Sequence, residues 1–207
     1  MFAGKSVFAI IWMGGWPFWI LIGASVLSIA VIILKLMEFK NKSKVTRKTF
    51  INQILEKLRK KNVDGAINLC DNTLSPMAPV VKAGLDAYSS KEGTPGEAMD
   101  REIKIQTIIL EKYTTIIGTI GSIAVYIGLL GTVIGIIKSF KNIAQVGSGG
   151  ISVVIGGVSE SLIATAAGLA VAIPAVIAYN FLSKTIDNFV VDMEYSASAV
   201  EDFISGK

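Results

Sequence analysis

Three stretches of this chain, residues 16–36, 113–137 and 151–182, are almost free of charged side chains and are filled with Ile, Leu, Val, Ala and Gly. Each holds at least the roughly 20 residues that an α-helix needs to cross about 30 Å of hydrocarbon at 1.5 Å per residue. A soluble domain instead scatters its apolar residues at core spacing between polar ones. Hydrophobic side chains make up 52% of the 207 residues, and the mean hydropathy is +0.59. The expected fold class is therefore an all-α membrane protein with three transmembrane helices.

Charge orients the spans. Lys35, Lys40, Lys42, Lys44, Arg47 and Lys48 follow the first apolar block, whereas only Lys5 precedes it. By the positive-inside rule the N-terminus lies outside and the region after the first span is cytoplasmic. Residues 1–15 form an outer or interfacial segment, and residues 16–37 form the first span, opened by Gly14, Gly15 and Pro17 with Trp12, Trp16 and Trp19 at an interface. Lys5 ahead of an apolar run resembles the start of a signal peptide, but the run ends in a cationic cluster and reads as a retained anchor.

Residues 38–112 have the composition of a soluble helical domain. Phe50, Ile54, Leu55 and Leu58 recur at helical spacing. Ala66, Ile67 and Leu69 mark a short second helix that Ser75 and Pro76 interrupt, residues 80–88 read as helix, and residues 91–96 read as a loop. From Glu97 a helical pattern with Ile103, Ile105, Ile109 and Leu110 meets no breaker before the second span, residues 113–138. Residues 139–152 are expected as an outside connection, with Gly147, Gly149 and Gly150. Lys138 at the end of the second span and Lys141 in the connection oppose the charge rule more weakly than the cluster beside the first span supports it. The third span, residues 153–183, belongs to a block longer than one membrane thickness, so part of it tilts, projects or forms loop. Residues 184–207 form a cytoplasmic C-terminal helix. Its stripe of Ile186, Phe189, Val190, Met193, Ala197 and Val200 calls for a protein partner.

Several function classes are excluded. The net charge of +4 follows from the positive-inside pattern, and no basic stripe with interleaved aromatics points to nucleic acid. Cys70 is the sole cysteine and histidine is absent, so no disulfide, thiolate cluster or histidine metal site can be built within one chain. Neither a Walker A sequence nor a GxSxG elbow is present, so no enzyme activity and no cofactor are expected. Three spans without internal symmetry disfavour a solute transporter.

Small residues dominate one face of each later span. Gly118, Gly121, Gly128, Thr132, Gly135 and Ser139 recur near a 3.5-residue period, with Gly131 and Gly135 as a small-xxx-small pair. Gly157, Ser161, Thr165, Gly168, Ala172 and Ala175 do the same in the third span. Such faces either hold the two helices in a hairpin or line a weakly polar path. Thr132 and Thr165 both lie roughly 10 to 12 Å from the outer end of their spans at 1.5 Å per residue. Their hydroxyls can line one path or bond back to helix carbonyls. Glu160 is the single acid in these blocks. Charge on it is costly in hydrocarbon, which makes it a candidate proton acceptor; the alternative is an interfacial residue that reaches water at the helix start. Pro174 deletes one helix hydrogen bond and is either a packing kink or a pliable point.

The segments 128–135, GLLGTVIG, and 155–169, IGGVSESLIATAAGL, followed by 172–176, AIPAV, resemble the signature of the ExbB/TolQ/MotA family. Ser75-Pro76 with Ala83-Gly84-Leu85 resembles its cytoplasmic pattern. Length and span number are more like the ExbB and TolQ branches than four-span MotA, and the resemblance is strongest to ExbB. It implies a homo-pentamer in the bacterial inner membrane whose second and third spans surround a pore occupied by the single helices of an ExbD or TolR partner dimer. It implies that Thr132, Glu160 and Thr165 are the polar pore residues of a proton-driven motor, acting with a TonB-like protein in outer-membrane uptake. A TolQ-like role in envelope maintenance and a non-conducting scaffold are the alternatives.

Overall fold

The computed structural model describes residues 15–91, 93–146 and 150–206, and every regular element among them is an α-helix. In chain order these are α1 (Gly15–Lys42), α2 (Arg47–Arg59), α3 (Val63–Asp71), α4 (Met77–Ser90), α5 (Pro95–Glu111), α6 (Thr114–Val146) and α7 (Gly150–Ser205). α1, α6 and α7 are long and apolar enough to cross a membrane. The chain is thus an all-α, three-span membrane protein with long helical extensions. The segment ahead of Gly15 and the glycines at 147 and 149 lie outside the described residues.

Two helices run further than their apolar blocks. α7 has 56 residues, about 84 Å at 1.5 Å per residue, so it continues well beyond the roughly 30 Å of hydrocarbon. The third span and the C-terminal helix, expected as two pieces, are one element, since no glycine or proline separates them and Pro174 inside the helix does not end it. α6 likewise continues to Val146, through most of the stretch expected as a connection.

The described parts of residues 1–33 and 113–180 form one compact unit. Its centre is Leu21, Ala124 and Ala172, with Val125, Ile127, Ala167 and Val171 packed around them. α6 and α7 are antiparallel: Gly118 faces Tyr179, Gly121 faces Val176, Gly128 faces Gly168, and Gly135 faces Ser161. The contacts recur every three to four residues, the period of a left-handed antiparallel pair. At the centre the backbones nearly touch. A β-carbon on Gly128 would lie 2.9 Å from the Ala164 carbonyl oxygen, and one on Gly168 would lie 2.6 Å from that of Ala124. Lipid tails are as apolar as leucine, so this close van der Waals fit, rather than hydrophobic burial, holds the hairpin together. Only 22% of the α6 span and 28% of the α7 span is buried within the chain, so most of their surface faces lipid or other helices.

The other unit comprises residues 34–112 with the described residues from 181 onward. Here water supplies the driving force. Phe50, Ile54, Val80, Val81, Leu85, Met99, Leu110 and Met193 are fully buried, each worth about 1.5–3 kcal/mol of transfer free energy. α2 packs on α3, α3 on α4 and α4 on α5. Asn62 caps α3 by accepting the Gly65 N–H at 2.7 Å, and Pro95 in the first turn of α5 fits its preset φ. The apolar stripe of the C-terminal segment is covered by the chain itself. Ile186, Phe189, Met193, Ala197 and Val200 are buried, Phe189 meets Phe39 edge-on at 5.6 Å, and Arg47 reaches Asp192 at 2.9 Å. The stripe therefore does not call for a separate partner.

One expectation fails at a single residue. The helix from Glu97 does not run on into the second span; α5 ends at Glu111, and Tyr113 has φ +70° before α6 begins. At the break Lys35, which is 3% exposed, donates to the Leu110 carbonyl at 3.0 Å while pairing with Glu38 at 2.9 Å. In an unbroken helix that carbonyl would accept the N–H four residues on. A buried ammonium at a helix C-terminus also complements the negative end of the dipole.

Two outcomes follow from this packing. Gly168→Ala forces a methyl group into the Ala124 carbonyl and is expected to lower stability by about 1–3 kcal/mol, read as a fall in Tm of the purified protein in detergent. Gly23→Ala, which meets nothing within 4 Å, should leave Tm unchanged or raise it. Burial, with Asp71 alongside, pushes the Cys70 thiol up from 9.0 to about 12. Maleimide labelling at pH 8 should therefore be on the order of a thousand-fold slower in the folded protein than in denaturant; comparable rates would show that this core is open.

Candidate functional site

The polar residues singled out in the spans converge on the α6–α7 contact. Thr132 and Thr165 come from opposite helices, both are half-buried, and their hydroxyls hydrogen-bond to each other. Around them lie carbonyl acceptors. The Thr132 hydroxyl is 3.3 Å from the Gly128 carbonyl and 3.2 Å from that of Ser161, and the Thr165 hydroxyl is 3.3 Å from the Gly128 carbonyl. The glycines make this possible. Side chains at positions 128 and 168 would part the helices and separate the two hydroxyls.

The pair has two protons and more acceptors than it can serve at once. Either Thr132 donates to Thr165, which donates to the Gly128 carbonyl, or Thr165 donates to Thr132, which donates to a carbonyl of its own or of the facing helix. Exchanging these arrangements turns both O–H dipoles around. A hydroxyl pair of this kind can pass a proton in either direction, and it can equally serve as a polar clasp between helices.

Towards the loop end of the hairpin the contact stays polar. Ser161 donates to the Val158 carbonyl at 2.8 Å, Ser139 donates to the Gly135 carbonyl at 2.8 Å, and Gly157 packs against Ser139. A cavity of about 350 Å³ opens there, lined among others by Trp16, Pro17, Lys138, Ser139, Asn142 and Ser161. Glu160 lies on α7 directly before Ser161, about 7–8 Å along the helix axis from Thr165; its side chain lies outside the described residues. Gly131 meets Ala164, and Pro174 is exposed on the outer side of α7, away from the hairpin contact.

Sequence reasoning missed the cavity. Lys138 and Asn142 stand four residues apart on one face of α6, but that spacing carries no meaning while residues 139–152 are read as a connection. The Gly128 carbonyl, shared by both threonines, was also hidden, because only the close approach of α7 brings a second hydroxyl to it.

A glycine-packed hairpin of apolar helices with an internal hydroxyl pair is the core of a multi-pass membrane protein. Residues 72–195, well over half the chain, match the MotA/TolQ/ExbB proton channel family, and the chain belongs to that family. It is 36% identical over 122 residues to the biopolymer transport protein ExbB of Xanthomonas campestris pv. campestris, covering 59% of this chain and 48% of the relative. It is 48% identical over 83 residues to ExbB of Neisseria gonorrhoeae, covering 40% and 38%, and 44% identical over 100 residues to the Tol-Pal system protein TolQ of Pseudomonas aeruginosa, covering 48% and 43%. The chain spans less than half the length of these relatives. Its three apolar helices and this membership make it a multi-pass protein of the inner membrane, in a family of channels rather than enzymes.

The hydroxyl pair has a measurable strength. In a double-mutant cycle of Thr132→Val and Thr165→Val, a coupling of about 0.6 kcal/mol, and no more than ~1.7, is expected for one interhelical hydrogen bond in a membrane protein. Equilibrium unfolding in mixed micelles reads it, and strict additivity would mean that the two side chains do not interact.

Proposed function

We propose that this chain is the proton-channel subunit of an inner-membrane motor that converts the proton gradient into mechanical work on the outer membrane. Thr132, Glu160 and Thr165 carry the proton. The observation that supports this reading best is the Thr132–Thr165 pair, a reversible hydroxyl relay where the two helices come closest. Glu160 takes up the proton from the outer side, one residue from the cavity-lining Ser161, and the pair passes it inward.

In this reading the N-terminus is outside and the C-terminus inside, and residues 38–112 and 184–207 are cytoplasmic. Five copies surround a pore holding a dimer of ExbD/TolR-like single-span partners, whose own acidic group completes the relay. The exposed apolar surface of α6 and α7 gives such neighbours a place to pack. One proton crossing 100 mV releases about 2.3 kcal/mol, so a few protons drive one mechanical step. Similarity to two ExbB proteins favours coupling to a TonB-like protein and outer-membrane uptake. Similarity to a TolQ protein favours envelope maintenance as the second reading.

A non-conducting scaffold is the competing account, favoured by the carbonyl partners that both threonines already have. Flux measurements separate the two. In liposomes carrying the chain with its partner, Glu160→Gln, Thr132→Val and Thr165→Val are each expected to cut proton flux about ten-fold or more, equivalent to ~1.4 kcal/mol of barrier, while the partner still co-purifies. Full flux in all three variants would leave the scaffold as the surviving account.

A further inference from the structure

The six cations that follow the first apolar block are not all neutralised by the fold. Lys35 and Lys42 share the single carboxylate of Glu38, and Arg47 pairs with Asp192. Lys40, Lys44 and Lys48 make no ion pair among the described residues. α2 begins inside this cluster with Arg47 and Lys48 in its first turn and no acidic residue there, and the Thr46 side chain does not cap it. Cations at a helix N-terminus sit at the wrong end of the dipole, and the first backbone N–H groups remain to be satisfied from outside.

A cavity of about 390 Å³ elsewhere in this unit is lined by two cations, Lys57 and Lys60, and by Glu56, which pairs with Lys60; it has neither an aromatic side chain nor a helix N-terminus in the charged cluster beside the first apolar block. A second one of about 310 Å³ opens at the charged cluster itself. Lys42, Arg47 and Lys48 wall it against the single carboxylate of Asp192, Ser43, Thr46 and Ser75 add hydroxyls, and Phe189 and Met77 form an apolar side. That is room for about ten waters, or for a phosphate with part of its ester. Lys42 stands five residues past Met37, about 8 Å along α1, and is the last residue of this helix, which is long and apolar enough to cross a membrane. The headgroup layer on each side of the hydrocarbon is some 5–8 Å thick, so the cavity lies at headgroup depth.

We propose that this cavity binds the headgroup of an anionic phospholipid. Lys48 supplies the unpaired positive charge for the phosphate, with Lys42 and Arg47 beside it in their pairs with Glu38 and Asp192, the hydroxyls and the N-terminus of α2 donate hydrogen bonds to it, and Met77 and Phe189 meet the glycerol end. The acyl chains then enter the surrounding hydrocarbon. Basic pockets beside membrane helices recognise such headgroups by this combination of charge and shape. The inference rests on the position of the first span and is independent of the proton path. A free phosphate shares the chemistry, but a lipid is held at this depth by its chains.

Native mass spectrometry of the full chain in detergent tests this. With equal amounts of phosphatidylglycerol and phosphatidylcholine added, the protein should retain phosphatidylglycerol about five-fold more. Lys42→Gln/Lys48→Gln should remove that preference, whereas Lys57→Gln/Lys60→Gln, away from the cavity, should keep it. Should the first pair unfold the protein, Lys48→Gln alone serves, since Lys48 is exposed and unpaired among the described residues. Equal retention of the two lipids by the unaltered protein, or an undiminished preference in the cavity variants, overturns the proposal. So does inorganic phosphate if, at the same concentration, it raises Tm as much as phosphatidylglycerol does.

Discussion

The contact on which the rest of this structure depends is the meeting of two backbones at Gly128 and Gly168. In lipid, apolar side chains gain nothing by leaving their surroundings, so two helices associate only where their surfaces fit closely or where polar groups find partners. Both conditions are met along one seam. The glycines let α6 and α7 approach until one helix's carbonyl oxygen lies against the other's α-carbon, and at that distance two threonine hydroxyls reach each other and a shared carbonyl. Packing and chemistry are therefore one feature: a residue that loosened the seam would also open the hydroxyl pair.

The second unit is held by different physics. Its helices are short and amphipathic, and their core is a conventional one of Phe, Leu, Ile, Val and Met removed from water. Charges fix its edges. Lys35 donates to a carbonyl in the last turn of α5, and Arg47 ties α2 to α7 through Asp192 while its guanidinium lies 4.5 Å from the Tyr195 ring. Such buried or half-buried cations do structural work that the positive-inside count alone does not reveal.

Much of the fold and part of the site could be read from residue order. The three spans follow from uncharged runs, and the glycine and threonine stripes follow from their 3.5-residue period, because both signals are local. Thr132 and Thr165 could be placed at equal depth from helix rise alone. What could not be read is non-local. The break at Tyr113 has no glycine or proline to announce it, and the free end of α5 is met by a lysine 75 residues away in sequence from its carbonyl partner. The cover over Ile186, Phe189 and Met193 comes from helices far apart in sequence, so the stripe looked unpartnered. The cavity beside Ser161 needs three helix ends at once and leaves no mark in any one of them.

The central claim is that the hydroxyls of Thr132 and Thr165, and not merely their bulk, serve proton transfer. Replacing both by serine keeps each hydroxyl and removes each methyl group. Proton flux through the reconstituted complex carrying Thr132→Ser/Thr165→Ser should remain within about two-fold of the unaltered protein, a barrier change under ~0.5 kcal/mol. A loss of flux as deep as that caused by removing the hydroxyls would contradict the account and make the pair a matter of shape alone.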